Sequence, residues 1–372
     1  MVGGGPGSFI GPVHRMAAAL DGRIRLVAGV FSRDAEKNAL AADGWGVSRE
    51  RTYTDYGAMF EAERVRADGV DLVAVVTPNH LHFEVSAAAL RAGLHVMSDK
   101  PATLDLAQAR ELAKVVAGSG RHYGLTYVYT GYPMVREARE IVRRGDLGRV
   151  RKIVVEYAQG WLSRPIERDG DKQATWRADP AQSGVGGCIG DIGVHAFNIA
   201  EFVAGVQVEH MCADIAAVVP GRVLDDDCNI LLRFKGGARG VLIASQISAG
   251  ARNGLQLKVY GEKGAITWSH ERHTELVVDW LDDPTQVLHA GAGYLSPVAQ
   301  AASRIPTGHP EGFIEAFANI YRDFADAITA GRGQAELVPD IGEGVRGMAF
   351  VERAVAASRA GEGWVTLEGD AR

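Results

Sequence analysis

The sequence is poor in cysteine and has no long apolar run. Its three cysteines are Cys188, Cys212 and Cys228, and no two of them form a Cys-x-x-Cys pair. An odd number at wide spacing argues against a disulfide framework and is typical of a reducing compartment. No apolar run approaches the roughly 18 residues of a membrane span, and no basic region followed by an apolar stretch opens the chain. We therefore expect a cytoplasmic protein with no membrane partner.

The sequence also lacks an excess of positive charge. It has 40 Lys and Arg against 46 Asp and Glu, a net charge of -6, and no basic run. This balance excludes a dedicated nucleic-acid surface, so we expect no nucleic-acid partner. The 47% hydrophobic content excludes disorder as the main state. At about 150 residues per domain, 372 residues predict two or three globular domains.

The first 125 residues alternate between short apolar runs and helical patterns, which favours a doubly wound parallel sheet. The predicted strands are Arg25–Phe31, Val70–Val76, Leu94–Ser98 and Tyr123–Val128. The predicted helices are His14–Leu20, Leu81–Ala92 and Thr103–Ala117. We therefore predict an α/β chain whose residues 1–128 form an N-terminal Rossmann dinucleotide-binding domain.

The pattern changes near residue 130. A helix is predicted over Tyr132–Arg144, and a last long helix over Glu311–Ala330. Between them lie the alternating segments RKIVVEY, NILLRF, RGVLIASQI, LQLKVYG and AITW, with a hairpin turn at Glu262–Gly264. We predict that residues 129–372 form a C-terminal α+β domain with a large, mostly antiparallel open sheet.

A glycine cluster opens the chain, with Gly3, Gly4, Gly5, Gly7 and Gly11. Glycine lets backbone amides approach a pyrophosphate closely, and the following helix presents its positive end. Any glycine-rich turn has a similar composition, so the cluster alone is a weak signal. Only two residues precede the first glycine. We expect either a very short first strand or a segment upstream of the given sequence.

The end of the predicted strand Arg25–Phe31 bears on cofactor choice. Ser32 and Arg33 stand there, where NAD-binding proteins usually place an acid that binds the ribose diol. A hydroxyl and a guanidinium suit a 2′-phosphate better, so NADP is favoured over NAD. Asp34 is one residue further on. A solvated surface arginine is the alternative interpretation of Arg33.

Two further motifs follow predicted strands, at the edge where open α/β sheets bind ligands. One is Thr77-Pro78-Asn79-His80, with His82 two residues later; no Cys, Asp or further His completes a metal set, so we expect no metal. The other is Asp99-Lys100-Pro101. Its lysine either points into the cleft or is a surface lysine before a helix.

The segment GGCIGDIGVH places Asp191 and His195 four residues apart, which on a helix puts them on one face. Such a pair can hold an imidazole in one tautomer and pass a proton. The alternative is a capping aspartate and a core histidine. Trp176 and Arg177 lie shortly upstream.

Taken in order, GGGPGSFIGPVH, TPNHLHFE, DKP, the WR pair, GGCIGDIGVH and YGEKGAI resemble the Gfo/Idh/MocA oxidoreductase family, which includes glucose–fructose oxidoreductase, inositol dehydrogenases and levoglucosan dehydrogenase. The resemblance covers nearly the whole chain. It implies hydride transfer between NAD or NADP and a carbon of a sugar or cyclitol, in a homodimer or homotetramer. It also implies that Lys100, Asp191 and His195 are catalytic, and that Asn79 and His80 lie beside the nicotinamide ribose.

The predicted cofactor contacts are the strand-end residues Gly3, Gly5, Gly7, Ser8, Phe9, Ile10, Ser32, Arg33, Thr77, Pro78, Asn79, His82, Asp99 and Lys100. The predicted substrate contacts are Lys100, Tyr129, Gln159, Trp176, Arg177, Asp191, His195 and His309, of which His309 is alternatively a loop or cap residue.

The chain departs from the family pattern at several points. The glycine loop is longer, Asp99 replaces the usual glutamate before the lysine, Tyr127-Val128-Tyr129-Thr130 replaces an Asn and Arg, and the acidic ribose residue is absent. Two other functions stay open. One is glycoside cleavage through a transient oxidation and elimination that recycles its cofactor, and the other is a non-catalytic NAD(P) sensor.

Overall fold

The computed structural model describes residues 1–331 and 335–367. The chain divides into two compact units, Met1–Val128 with Phe317–Val345, and Tyr129–Ala316 with Arg346–Arg372. Within the described ranges, no helix is long and apolar enough to cross a membrane.

The first unit contains a parallel sheet of four strands in the order β1-β2-β3-β4. The strands are β1 (Val2–Gly3), β2 (Leu72–Val76), β3 (His95–Ser98) and β4 (Tyr123–Leu125). Parallel bridges extend the sheet beyond β1, from Val2 to Val30 and from Gly29 to Thr52. The six segments can be numbered in chain order, with β1 as 1, Gly29 and Val30 as 2, Thr52 as 3, and β2, β3 and β4 as 4, 5 and 6. Their order across the sheet is then 3-2-1-4-5-6, which is the order of a dinucleotide-binding Rossmann sheet.

The second predicted strand, Arg25–Phe31, is shorter than expected. It pairs in the sheet only at Gly29 and Val30, because its neighbour β1 is itself two residues long. The other three predicted strands are present, each ending close to its predicted position.

Five helices belong to the first part of this unit: α1 (Ile10–Leu20), α2 (Ala35–Trp45), α3 (Tyr56–Arg64), α4 (His82–Arg91) and α5 (Leu106–Ser119). Side-chain caps fix where three of them begin. Asp34, Asp55 and Asp105 each accept a backbone N–H in the first turn of α2, α3 and α5. The sequence analysis left α2 and α3 unassigned, although their capping aspartates were visible.

The second unit is built on a sheet of nine strands. They are β5 (Lys152–Ala158), β6 (Val208–Ala216), β7 (Asp227–Phe234), β8 (Arg239–Ser245), β9 (Gly254–Tyr260), β10 (Gly264–Ser269), β11 (Glu275–Trp280), β12 (Gln286–His289) and β13 (Val365–Thr366). Their order is β12-β11-β10-β9-β5-β8-β7-β6-β13, and among the described strands of this sheet only β5 and β8 pair in parallel. The prediction of a large, mostly antiparallel sheet is confirmed, as is the hairpin turn between β9 and β10.

The remaining helices are α6 (Pro133–Arg143), α7 (Lys172–Arg177), α8 (Pro180–Ser183), α9 (Val194–Ala204), α10 (Pro297–Gln300), α11 (Phe313–Ala330) and α12 (Ile341–Arg359). α11 begins in the second unit and continues in the first. There the Tyr321 hydroxyl lies 2.7 Å from Nδ1 of the buried His14. The described residues of the segment Phe317–Val345 thus group with the first unit, although this segment falls within the predicted second domain, residues 129–372.

Candidate active site

In the first unit, the loop between β1 and α1 is a cradle that only glycine can form. A Cβ atom on Gly5 would lie 2.2 Å from the Phe31 carbonyl oxygen, and one on Gly11 would lie 2.4 Å from the Gly4 Cα. Gly4 also has a φ of 77°, which L side chains rarely adopt. The Ser8 hydroxyl accepts the Gly11 N–H at 3.3 Å. The glycines therefore let this loop pack directly against the Phe31 carbonyl and the first turn of α1, as the tight turn of a dinucleotide-binding loop requires.

Beside this loop, the chain turns at Ser32 and Arg33. The Ser32 N–H donates to the Asn38 side chain at 3.3 Å, and its hydroxyl accepts the Asp34 N–H at 3.2 Å. Asp34 caps α2 by accepting the Lys37 N–H at 3.0 Å. The Arg33 side chain is exposed. Asp34, the acid nearest the tip, is thus engaged at a helix start, and both Arg33 and Asp34 are exposed.

His82 joins two strand-end loops. Its ring is 1% exposed, with Nδ1 2.7 Å from the Pro101 carbonyl oxygen and Nε2 2.8 Å from that of Thr77. Burial lowers the pKa of the imidazole. Both ring nitrogens therefore face backbone carbonyls, so His82 holds together the loops that follow β2 and β3, and its contact with the cofactor stays a prediction. The neighbouring Asn79 is also buried, at the start of the helical turn Asn79–Leu81.

Lys100 follows β3 and is anchored through Asp99. One oxygen of the Asp99 carboxylate accepts the Lys100 N–H at 2.9 Å and the Thr126 hydroxyl at 2.9 Å. The Lys100–Pro101 peptide bond is cis. The aspartate that replaces the usual glutamate therefore fixes the backbone of the lysine against the segment after β4.

In the second unit, Asp191 and His195 lie at a change of helix type. Ile189–Gly193 is a turn of π-helix, and α9 continues from Val194. The Val194 N–H closes the turn on the Ile189 carbonyl. Asp191 therefore lies in a π turn and His195 in α9, on one helical segment but without the spacing of a regular α-helix. Such turns are frequent at functional sites.

In the hydrogen bonds described, two side chains donate to the Asp191 carboxylate. Its Oδ2 accepts Arg177 Nε at 3.2 Å and Gln246 Nε2 at 2.8 Å. The Arg177 guanidinium in turn stacks on the Trp176 ring at 4.3 Å and lies 5.8 Å from the Trp161 ring centroid. Asp191 is therefore held by a charge-assisted hydrogen bond whose donor is itself fixed by indole faces.

His195 is buried among tyrosines. Its side chain is 8% exposed, and its ring meets that of Tyr129 edge to face at 5.1 Å. The Tyr129 and Tyr157 hydroxyls are hydrogen-bonded to each other. Burial raises the pKa of Tyr129 to about 12 and that of Tyr157 well above its ordinary range. Both phenols are therefore neutral near pH 7 and can donate hydrogen bonds.

Amide side chains extend this polar surface along the sheet edge. Gln159 donates to Asn253 Oδ1 at 2.8 Å and accepts from Trp161 Nε1 at 3.0 Å and Gln246 Nε2 at 3.3 Å. Pairing explains the cluster, because Ala158 at the end of β5 faces both the end of β8 and the start of β9. Amide groups both donate and accept, which suits a ligand with several hydroxyls.

Sequence reasoning missed Tyr157, Trp161, Gln246, Asn253 and His270 of this cluster. His270 Nδ1 lies 3.2 Å from Asn253 Nδ2. Gln246 lies within the predicted segment RGVLIASQI and Asn253 two residues before LQLKVYG, but their meeting depends on strand pairing that the sequence does not display. The structure favours the loop interpretation of His309, since its side chain is exposed and its Nδ1 lies 3.2 Å from the Pro306 carbonyl oxygen of its own turn.

A Rossmann sheet with a glycine cradle at the point where strand order reverses, coupled in one chain to a carboxylate–histidine pair, defines an NAD-binding oxidoreductase. Comparison with known families agrees. The oxidoreductase family model with an NAD-binding Rossmann fold matches residues 1–127, and that of the GFO/IDH/MocA C-terminal domain matches residues 135–267. The chain belongs to the Gfo/Idh/MocA oxidoreductase family, as its motifs predicted.

Similar proteins cover almost the whole chain. The uncharacterized oxidoreductase YfiI of Bacillus subtilis is 33% identical over 99% of this chain and 96% of its own. An inositol dehydrogenase homolog from Azotobacter vinelandii, complexed with NADH and myo-inositol, is 36% identical with a TM-score of 0.91, covering 98% of this chain and 96% of that one. The levoglucosan dehydrogenase of Pseudarthrobacter phenanthrenivorans is 25% identical over 80% of each chain.

Proposed function

We propose that this oxidoreductase is a dehydrogenase of a sugar, a sugar derivative or a cyclitol. The observation that carries the proposal is the Asp191 carboxylate, held by Arg177 and Gln246 beside a cluster of amide and phenol groups. A polyhydroxylated ring needs many hydrogen-bonding partners together with an aromatic face, and Trp161 and Trp176 offer such faces. Relatives whose structures contain myo-inositol or levoglucosan support this substrate class.

The first unit has the features that a dinucleotide needs. We assign the pyrophosphate to the cradle at Gly5 and Gly11, where a side chain would collide with backbone. Thr77, Asn79 and Lys100 follow β2 and β3 and lie at the same carboxyl edge of the parallel sheet. When bound, the nicotinamide would accept the hydride of the substrate carbinol carbon.

The chain's own residues would manage the proton. A carbinol that loses a hydride must also lose its hydroxyl proton, and we assign its acceptance to Lys100 or His195. Asp191 would orient the acceptor or relay the proton, with Arg177 stabilising its charge. A positioned group of this kind contributes about 10²–10⁴-fold in rate.

We propose that NADP is accepted at least as well as NAD. The exposed Arg33 side chain and the engagement of Asp34 in capping α2 support this choice, because a capping carboxylate is less available to a ribose diol. Relatives solved with NAD+ or NADH set the competing expectation.

Substitution of Lys100 tests the reaction. We expect Lys100→Met to lose nearly all turnover while NADH binding stays within a few-fold, since the cradle residues are untouched. The matched control is Lys114→Met, whose side chain is 76% exposed on α5 and pairs only with its helix neighbour Glu111 in the contacts described. Equal turnover of the two variants would contradict the role of Lys100.

The quaternary and cellular predictions stay proposals. We propose a homodimer or homotetramer in the cytoplasm, in which residues 1–128 bind the cofactor and the second unit, which holds most of the residues from 129 onward, binds the substrate and forms the contacts between subunits. Light scattering coupled to size-exclusion chromatography measures the number of subunits, and cell fractionation tests the cytoplasmic location.

A further inference from the structure

The carboxylate of Asp225, two residues before the start of β7, binds the backbone that leads into the π turn. Its Oδ1 accepts the Gly187 N–H at 2.6 Å, and its Oδ2 accepts the Ile189 N–H at 2.7 Å. The Asp225 carbonyl accepts the N–H between them, that of Cys188, at 2.8 Å. One residue therefore satisfies three consecutive N–H groups at the start of the helical segment, where donors have no intrahelical partners.

The fit between the two segments is close. A Cβ atom on Gly187 would lie 2.3 Å from the Asp225 carbonyl oxygen. A carboxylate at this end of a helical segment is also favoured by the helix dipole. Asp191 lies two residues after Ile189, and His195 lies four residues after Asp191, in one continuous helical segment. The position of Ile189 therefore sets the positions of Asp191 and His195.

The next residue, Asp226, is connected to Asp191 through Gln246. Its carbonyl accepts the Gln246 N–H at 2.9 Å. The Gln246 side chain then donates to Asp191 Oδ2 at 2.8 Å. The Asp226 carboxylate is fixed in turn by Arg222 Nη1 at 3.1 Å. The dipeptide Asp225-Asp226 thus holds Asp191 both through its backbone and through the donor to its carboxylate.

Asp225 also has thiol neighbours, since Cys188, Asp225 and Cys228 bring their ligand atoms within 4.8 Å of one another. These groups do not make a good metal site. Both carboxylate oxygens already accept backbone N–H groups, and the Cys228 thiol lies at donor distance, 3.5 Å, from Oδ2. The carboxylate is therefore used in hydrogen bonds within the fold.

We propose that Asp225 is a positioning residue for the Asp191 and His195 pair in hydride transfer, an inference that rests on the proposed dehydrogenase function. Asp225 acts through the Gly187–Ile189 backbone and does not itself touch the substrate. Its loss should therefore slow the chemical step and leave the cofactor site of the first unit intact.

The test is a double-mutant cycle on the enzyme with its best sugar or cyclitol substrate. Asp225→Asn replaces one acceptor oxygen with an amide that cannot accept, and we expect kcat to fall at least about tenfold, as for loss of a positioned proton-transfer group. The NADH dissociation constant should stay within about twofold. In an Asp191→Asn background the same change should cost little more, because coupled residues are not additive. The control is Asp227→Asn, where the carboxylate contacts only Asn229 in the bonds described.

The outcomes separate the two proposals. Unchanged kcat in Asp225→Asn, an equal loss in Asp227→Asn, or full additivity with Asp191→Asn would overturn the positioning role alone. Absence of turnover in the wild type overturns the dehydrogenase function and this inference with it. If Asp225→Asn does not fold, Asp225→Glu keeps both acceptor oxygens, and we expect it to fold with a smaller but measurable loss of kcat. Full activity of a folded Asp225→Glu would count against the need for this geometry.

Discussion

Two glycines in helices should respond in opposite directions to the same substitution. Gly11 lies in the first turn of α1, and Gly44 lies near the end of α2. A Cβ atom on Gly11 would lie 2.4 Å from the Gly4 Cα and 2.5 Å from its carbonyl oxygen, whereas one on Gly44 would have no atom within 4 Å. We predict that Gly11→Ala destabilises the protein and that Gly44→Ala stabilises it.

The magnitudes follow from the surroundings of each site. Alanine gains about 0.5–1 kcal/mol over glycine inside a helix, and Gly44→Ala should show that gain. Gly11→Ala gains no more, but its methyl group presses on backbone that has no rotamer to change. Overpacking of this kind costs about 1–3 kcal/mol, so we expect a net loss of about 1–2 kcal/mol.

Urea unfolding gives both free energies, and titration with NADH gives the dissociation constants. Gly11→Ala should also weaken NADH binding, because separating Gly4 from Gly11 opens the cradle. Gly44→Ala should bind NADH as the wild type does. A Gly11→Ala protein as stable as the wild type, with unchanged NADH affinity, would refute the cradle geometry.

Three other predictions concern the cofactor, the pH dependence of stability and the Asp191 carboxylate. Arg33→Ala should weaken NADP binding about tenfold and leave NAD binding within a few-fold. The expected loss is at the low end for a charge-assisted contact because Arg33 is exposed. Equal losses of affinity for both cofactors, measured by calorimetry, would contradict a contact between Arg33 and the 2′-phosphate. Burial beside Asp340 raises the pKa of the Glu343 carboxyl above its ordinary value of 4.5, so the folded state holds this proton more tightly than the unfolded state. Protonated Glu343 contributes its full stabilisation below the ordinary pKa of 4.5, and this stabilisation is lost as the pH rises toward the raised pKa. Glu343→Gln should therefore flatten the decline of the urea-unfolding free energy between about pH 5 and 8. An unchanged decline would exclude Glu343 as its source. Gln246→Leu should lower kcat/KM about tenfold by leaving Asp191 with one donor fewer, about 1.4 kcal/mol, and an unchanged rate would show that Arg177 alone suffices.

Local patterns in the sequence predicted much of the first unit. The strands before Thr77 and Lys100 are apolar runs bounded by polar residues, and period and length identify such runs without knowledge of their partners. The length of the strand predicted over Arg25–Phe31 was overestimated, because its neighbour β1 is short and limits the ladder that Gly29 and Val30 can join. That limit is a property of pairing and cannot be seen in the segment itself.

The candidate site divides in the same way. Asp191 and His195 were visible through their spacing, but the backbone that leads into their π turn is held by acceptors 36 to 38 residues further along the chain, at Asp225. The amides of Gln159 and Gln246 meet because β5 and β8 are parallel neighbours in an otherwise antiparallel sheet. Side chains assembled by long-range pairing carry no local signal in one sequence.

The most direct test of the central claim measures reduced cofactor against product. Purified protein is incubated with NAD or NADP and a panel of sugars and cyclitols that includes myo-inositol, and the absorbance of reduced cofactor is followed while the product is quantified. We expect at least one member to yield one equivalent of reduced cofactor per oxidised carbinol. Product that accumulates without reduced cofactor would point to cleavage with cofactor recycling. Binding of cofactor with no product from any member would point to a sensor, and either result would contradict the dehydrogenase.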